Sequence, residues 1–280
     1  MSSHLLDCAG RTLDLSRPQV MGVLNVTEDS FSDGGRFLDP GSALAQARCM
    51  VEEGAAIIDV GGESTRPGAQ PVGEQEELER IVPVVEAIHR ELPVPISVDT
   101  SKPAVMNAAV AAGAGMLNDV RALREPGALE AAAAAAVPVC LMHMQGEPRT
   151  MQQDPTYGDV VTEVRVFLLE RVQACRRAGI PDQRLLIDPG FGFGKTPEHN
   201  LRLLKHLDRL VEDGFALVAG LSRKSLIGAV LGLPVEHRLH PSVALAVLAV
   251  WQGAALVRVH DVGPTCEAIR MCAAVRSVPD

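Results

Sequence analysis

Eight short runs of apolar, largely β-branched residues punctuate this chain from end to end, and they constrain its fold more than any other feature. They cover residues 19–26, 55–62, 95–100, 116–120, 138–144, 185–190, 216–222 and 256–262. Each run is nearly continuous rather than alternating, the pattern of a parallel strand buried on both faces. Longer Ala- and Leu-rich segments with helical spacing lie between them. Leu78, Ile81, Val82, Val85, Ile88 and Leu92 mark one such face, and Pro83 is expected to kink that helix or delay its start. A strand-then-helix unit repeated eight times in 280 residues favours a closed α/β barrel of the (β/α)8 type over an open doubly wound sheet.

One domain spanning the chain is expected, because no linker or composition shift divides it. The barrel should occupy residues 19–275, preceded by a hairpin over 4–18 whose turn is Ala9-Gly10 and which closes the barrel bottom. Residues 232–241, with two prolines and two histidines, predict an excursion after the seventh strand, before a helix that begins near Ser242. With 47 % hydrophobic but only 3 % aromatic residues, Ala, Val, Leu and Ile must fill the core. A formal charge of −9 argues against a nucleic-acid partner, which calls for a basic face. It leaves room for an anionic substrate, since a few cations focused in a cleft outweigh diffuse surface charge. Six scattered cysteines without a C-x-x-C pair suit free thiols in a reducing cytoplasm. No signal peptide is expected from MSSHLLDCAGR, and the longest apolar run, 243–251, is too short to span a bilayer.

Function in such a barrel sits at the strand C-termini and the loops that follow. Nearly every predicted strand here ends in polar chemistry: Asn25, Asp59, Asp99 and Asn118-Asp119, then His143, Asp188, Ser222-Arg223-Lys224 and Arg258-x-His260-Asp261. A lone aspartate at a strand end is an ordinary helix cap, Lys224 alone reads as a solvated helix-start lysine, and His260 alone as a histidine bonded to backbone. A ring of caps, however, has no need of aspartates inside apolar strands, where an unpaired charge is costly. Asp99, Asn118 and Asp188 match a heterocycle rich in N–H donors; Lys224, Arg258 and His260 suit a phosphate or carboxylate. Arg258 and His260 share a face by strand periodicity, which strengthens the anion reading. Two polar loops, 27–37 with two phenylalanines and 61–72 with Thr65, Arg66 and Pro67, have the character of lids. The segment Gly190-Phe-Gly-Phe-Gly194-Lys195-Thr196 misses the phosphate-loop pattern because Pro189 occupies its leading position. H-E-x-x-H and G-x-S-x-G are absent, so phosphate would be held by side chains and a metal.

Two long segments carry a family resemblance. Residues 21–35, MGVLNVTEDSFSDGG, and residues 57–68, IIDVGGESTRPG, resemble the two signatures of the dihydropteroate synthases. The likeness continues through SVDTSKP, NDV, CLMHMQG, DPGFGFGK, SRKS and RVHDV, so it covers essentially the whole chain. It implies a transferase of folate biosynthesis that condenses 4-aminobenzoate with 6-hydroxymethyl-7,8-dihydropterin diphosphate by an SN1-like displacement, with Mg2+ as cofactor. By the same resemblance Asp99, Asn118, Met142, Asp188, Lys224 and Arg258 hold the pterin. Asn25, Asp59, Thr65, Arg258 and His260 hold the diphosphate, and Asn25 also meets the metal. Phe31, Thr65, Arg66, Pro67, Phe193 and Ser222 form the aminobenzoate pocket. Asp99, Asp188, Lys224, Arg258 and His260 carry the catalysis. The resemblance further implies a cytoplasmic homodimer built through C-terminal helices, and inhibition by sulfonamides that mimic aminobenzoate. Two departures are Glu28, where many relatives have Pro, and Arg238-Leu-His-Pro-Ser242, which lacks a glycine common before that serine. A pterin-binding methyltransferase domain would share the Asp/Asn set without needing the two loops. A silent pterin-binding paralogue would have lost Arg66, Lys224 or His260, all of which are present.

Overall fold

The computed structural model describes residues 5–26, 40–64, 69–147 and 149–279. Eight parallel strands close into a barrel: β3 (Gln19–Asn25), β4 (Ile57–Gly61), β5 (Ile96–Asp99), β6 (Met116–Asp119), β7 (Val139–Met142), β8 (Leu185–Asp188), β9 (Ala216–Ala219) and β10 (Leu256–Val259). Each pairs with its neighbour in sequence, and β10 closes the ring on β3. The antiparallel strands β1 (Leu5–Cys8) and β2 (Arg11–Asp14) form the separate hairpin expected before them.

The β-sheet period of two explains how these strands serve stability and chemistry together. Met21, Ile57, Met116, Cys140, Leu186, Val218 and Leu256 share one buried apolar cluster with Leu6, Cys8, Leu13 and Leu15 of the hairpin. The hairpin is therefore an apolar plug on the barrel interior. Two residues further along several of these strands, on the same face, stand Asp59, Asn118, Met142, Asp188 and Arg258. The plug and the polar rim are consecutive layers of one interior. At Gly115, just before β6, an added Cβ would fall 2.3 Å from the Cys8 carbonyl oxygen, so glycine is what lets the hairpin backbone approach.

A larger apolar layer seals the outer faces of the strands beneath the helices, which begin with α1 (Pro40–Glu52) and continue through α3 (Pro103–Ala111), α4 (Ala128–Ala135), α5 (Val160–Arg177), α6 (Pro197–Lys205) and α7 (Asp208–Val211) to those described next. Helix α2 (Glu74–Glu91) lays Ile81, Val84, Val85 and Ile88 into that layer. It neither starts late nor ends at Pro83, contrary to the sequence expectation of a delayed start. Pro83 and Glu79, whose carbonyl loses its helical partner, are both exposed, so water takes the missing bond while apolar residues anchor both halves. Between β9 and β10 the structure also holds more helix than expected. Helix α8 (Ser225–Leu231) precedes a short 3-10 turn at Val235–His237, and α9 (Leu239–Trp251) begins three residues before Ser242. Pro241 is accommodated there because the first turn needs no N–H donor. Helix α10 (Val262–Arg276) packs on α9 and ends the described chain.

Candidate active site

Six residues from five strands and one loop line a single cleft at the strand C-termini: Asp99, Asn118, Met142, Asp188, Lys224 and Arg258. It contains the three residues that the sequence marks for an N–H-rich heterocycle, Asp99, Asn118 and Asp188, and coincides with the six that the resemblance assigns to the pterin. Strand register supplies part of the convergence, since Asp99 is paired with Asn118 and Met142 with Asp188 across adjacent strands. Val120, Phe191 and Phe193 add apolar walls.

Arg258 is tied to two carboxylates. Its Nε donates to Asp59 Oδ2 at 2.6 Å and a terminal nitrogen to Asp99 Oδ2 at 2.8 Å. Asn118 donates to the same Asp59 oxygen at 3.2 Å, and Asp59 is wholly buried. Asp59 therefore stands as the ion partner of Arg258 rather than at an open anion edge; a carboxylate does not itself attract a diphosphate. Burial opposes the charge on Arg258, but Asp59, Asp99 and Asp188 together hold its proton more tightly than usual. Burial pushes the Asp99 carboxyl upward, with Asp59 and Asp119 adding to it and Arg258 opposing. Asp188 is also raised by burial, against the Gly190 amide that donates to its Oδ1 at 2.7 Å and against Lys224 and Arg258.

Lys224 closes the cleft from the start of α8, its Nζ 4.2 Å from the centre of the Phe193 ring. Burial, reinforced by Arg258, pushes its ammonium down to about 8. It is not the freely solvated lysine that its position alone suggests. His260 lies just beyond β10, with Nδ1 3.0 Å from Ser222 Oγ, the oxygen that also accepts the His260 backbone N–H at 3.2 Å. Burial and the charge of Arg258 push this imidazole down to about 4, so it is neutral at physiological pH. Ser222 thus meets His260, while Phe193, grouped by resemblance with the aminobenzoate residues, lines the same cleft as the pterin set. Asn25 ends β3 beside Gly61, the last residue of β4. Phe31, Thr65, Arg66 and Pro67 lie outside the described residues, as does Glu28.

Among the described residues no group of three His, Cys, Asp or Glu side chains is placed to hold a metal ion. One neutral oxygen donor, Asn25, suits a hard ion that retains waters and takes its remaining ligands from substrate phosphate, as Mg2+ does.

Sequence reasoning passed over two charged centres. Lys195 is buried and bonded to His143, a partnership that its failed phosphate-loop pattern gave no reason to suspect. Lys102 bridges Glu63 and the buried Glu77 at the base of the loop that carries Arg66. The alternating glycines of residues 190–194 were the one available signal for the first.

The pterin binding enzyme family matches residues 21–260 of the chain. The dihydropteroate synthase of Escherichia coli K12 is 53 % identical over 271 residues, covering 97 % of this chain and 96 % of its own length. The Yersinia pestis dihydropteroate synthase, solved with a sulfonamide drug, superposes with a TM-score of 0.94 at 54 % identity, covering 98 % of this chain and 100 % of its own. The Xanthomonas albilineans dihydropteroate synthase, solved with 4-aminobenzoic acid, gives 0.94 at 55 % identity, covering 99 % and 100 %.

Proposed function

The chain belongs to the pterin binding enzyme family, and within it to the dihydropteroate synthases; from that membership we propose how its rim joins 4-aminobenzoate to 6-hydroxymethyl-7,8-dihydropterin diphosphate. The observation that carries this reading is the convergence of two carboxylates, one amide and two cations on one cleft with an apolar wall. Asp99, Asn118 and Asp188 accept from and orient the N–H-rich edge of the pterin, Met142 packs on its face, and Lys224 donates to its acceptor edge. Arg258, braced by Asp59 and Asp99, lies over the ring and reaches toward the diphosphate. His260 is a neutral donor to that group, and Ser222 orients it. Arg66, Thr65, Pro67 and Phe31 complete the aminobenzoate pocket.

The chemistry is an SN1-like displacement. The C–O bond to the diphosphate breaks, and the electron-rich dihydropterin carries the positive charge that develops at its exocyclic methylene. Asp99 and Asp188 offset this charge, while Arg258 and His260 take the negative charge leaving with pyrophosphate. The aniline nitrogen of aminobenzoate then forms the new C–N bond and loses a proton, a step that needs no strong base. Asn25 would hold Mg2+, which supplies further charge neutralisation on the leaving group.

The enzyme also acts, on this reading, as a cytoplasmic homodimer. Its six cysteines are free thiols, as a reducing compartment favours, and among the described residues no helix is long and apolar enough to cross a membrane. The dimer face is the outer surface of α9 and α10, where Leu248, Trp251, Met271 and Val275 are exposed.

Pyrophosphate release measured with and without 4-aminobenzoate tests the reaction. Release that aminobenzoate accelerates and that yields dihydropteroate is expected; methyl transfer, or no turnover of either substrate, would sink the reading. Asp188→Ala is expected to abolish pterin binding in calorimetry while the barrel still melts cooperatively, and unchanged affinity would refute its role.

A further inference from the structure

Between β8 and α6 (Pro197–Lys205) the chain is organised around a buried ammonium to which the reaction assigns nothing. Lys195 Nζ contacts His143 Nδ1 at 2.8 Å, the Gly190 carbonyl at 2.9 Å and the Phe193 carbonyl at 3.0 Å. Burial lowers the Lys195 ammonium well below its ordinary value while Asp188 opposes; the three acceptors match the three donors of the charged form, so Lys195 has none left for a substrate. Burial and the charge of Lys195 push His143 down to about 2, which leaves a neutral ring with Nδ1 free to accept. His143 itself is fixed by edge contact with Phe167 at 4.9 Å.

The turn held in this way is pressed against the end of β7. An added Cβ on Gly190 would lie 1.9 Å from the His143 carbonyl oxygen, and one on Gly194 would lie 2.4 Å from that of Gln145. Tyr157 donates to the Gly194 carbonyl at 2.8 Å, and Asn200 accepts the Gly192 N–H at 2.8 Å. What the arrangement delivers to the cleft is Phe193, whose ring lines the pterin wall and carries Lys224 Nζ. Gly190 is gripped from both sides, its N–H by Asp188 and its carbonyl by Lys195.

We infer that Lys195 is a positioning residue of the synthase reaction: it clamps the 190–194 turn so that Phe193 forms the cleft wall and seats Lys224. A lysine suits this task because a neutral chain of equal length would fill the space but strand the Phe193 carbonyl and an imidazole nitrogen, and leave the Gly190 carbonyl to the Phe193 N–H alone. The inference rests on the pterin reading of the cleft, and the test separates the two.

The experiment is a double-mutant cycle on kcat/KM for pterin diphosphate, with melting midpoints recorded alongside, using Lys195→Met and Phe193→Ala. Each single variant is expected to lose about tenfold or more, and the double variant to stay within about twofold of Phe193→Ala alone. A structural role for Lys195 unrelated to Phe193 would instead multiply the two losses. Additive losses, or wild-type kinetics for Lys195→Met, would overturn the inference alone. An unchanged Phe193→Ala enzyme would overturn the cleft reading and the inference with it. Should Lys195→Met not fold, His143→Leu takes its place in the cycle, beside His143→Gln, which keeps an acceptor for Nζ. Near-wild-type kinetics for the glutamine variant and loss for the leucine variant support the clamp; equal losses overturn it.

Discussion

Arg258 meets its substrate paired with Asp59 and Asp99, which hold its proton in place, so the cation whose charge changes with pH in the cleft is Lys224. Burial brings its ammonium from an ordinary value of 10.5 down to about 8. Below that pH Lys224 is charged and, in the proposed site, a donor to the pterin; as pH rises through about 8 it loses its proton and the donor weakens. We expect kcat/KM for pterin diphosphate, which reports the free enzyme, to fall along a one-proton limb near pH 8, and Lys224→Gln to lack that limb at a lower plateau. A flat profile to pH 10 in the wild type would refute the assignment. The lowered value also means that the unfolded chain holds this proton more tightly, so Lys224 favours folding increasingly as pH rises from about 8 to 10.5. Activity lost over that window is therefore not Lys224-driven unfolding. His260, pushed down to about 4, adds no acid limb in the usual imidazole range.

Elements divide the barrel's labour along its axis. The hairpin plug touches only the lower layer of the interior, while every residue of the cleft belongs to the layer above or the loops beyond it. Leu13, 1 % exposed and set among Met21, Ile57 and Leu256, tests the division. Leu13→Ala is expected to cost about 2–5 kcal/mol of stability, read in denaturant unfolding, with kcat/KM at 25 °C unchanged. A tenfold kinetic loss in the folded variant would show that plug and rim are coupled. This layering was largely legible in the sequence, because strand periodicity places Asp59, Asn118, Asp188 and Arg258 two residues beyond apolar partners. Pro83 did not delay the start of its helix because a proline on a solvent face costs one bond that water can replace, and local pattern does not report which face that is. The Lys195–His143 contact escaped because it joins side chains from different strand ends, 52 positions apart, and only the closed barrel brings them together. Asp59 was recognised as a rim residue, but its bond to Arg258, 199 positions away, needs the closure of β10 on β3.

The whole molecule carries net charge −9, yet α9 and α10 leave apolar side chains in solvent at its surface. Along the run 243–251 the helix splits its residues: Ala246, Ala249 and Val250 turn inward, while Leu248 and Trp251 are about half exposed, at 51 % and 54 %. The neighbouring α10 adds Met271 at 67 % and Val275 at 54 %. Helix α9 packs on α10, so these exposed side chains stand on adjoining helices. A two-fold dimer through these helices would present each residue to the same patch on its partner, so one substitution acts twice. Trp251 is the natural anchor, since large aromatics dominate such interfaces. Trp251→Glu would bring two carboxylates into such a seam, and the exposure of Trp251 in the single chain means that the barrel itself loses little. We expect sedimentation equilibrium to give a dimer for the wild type and a monomer at micromolar concentration for Trp251→Glu, with an unchanged far-UV spectrum. Neither α9 nor α10 contributes a residue to the lining of the cleft, so the monomer should keep kcat/KM within about threefold of the dimer. A wild-type monomer, or a Trp251→Glu dimer of undiminished affinity, would place the association surface elsewhere.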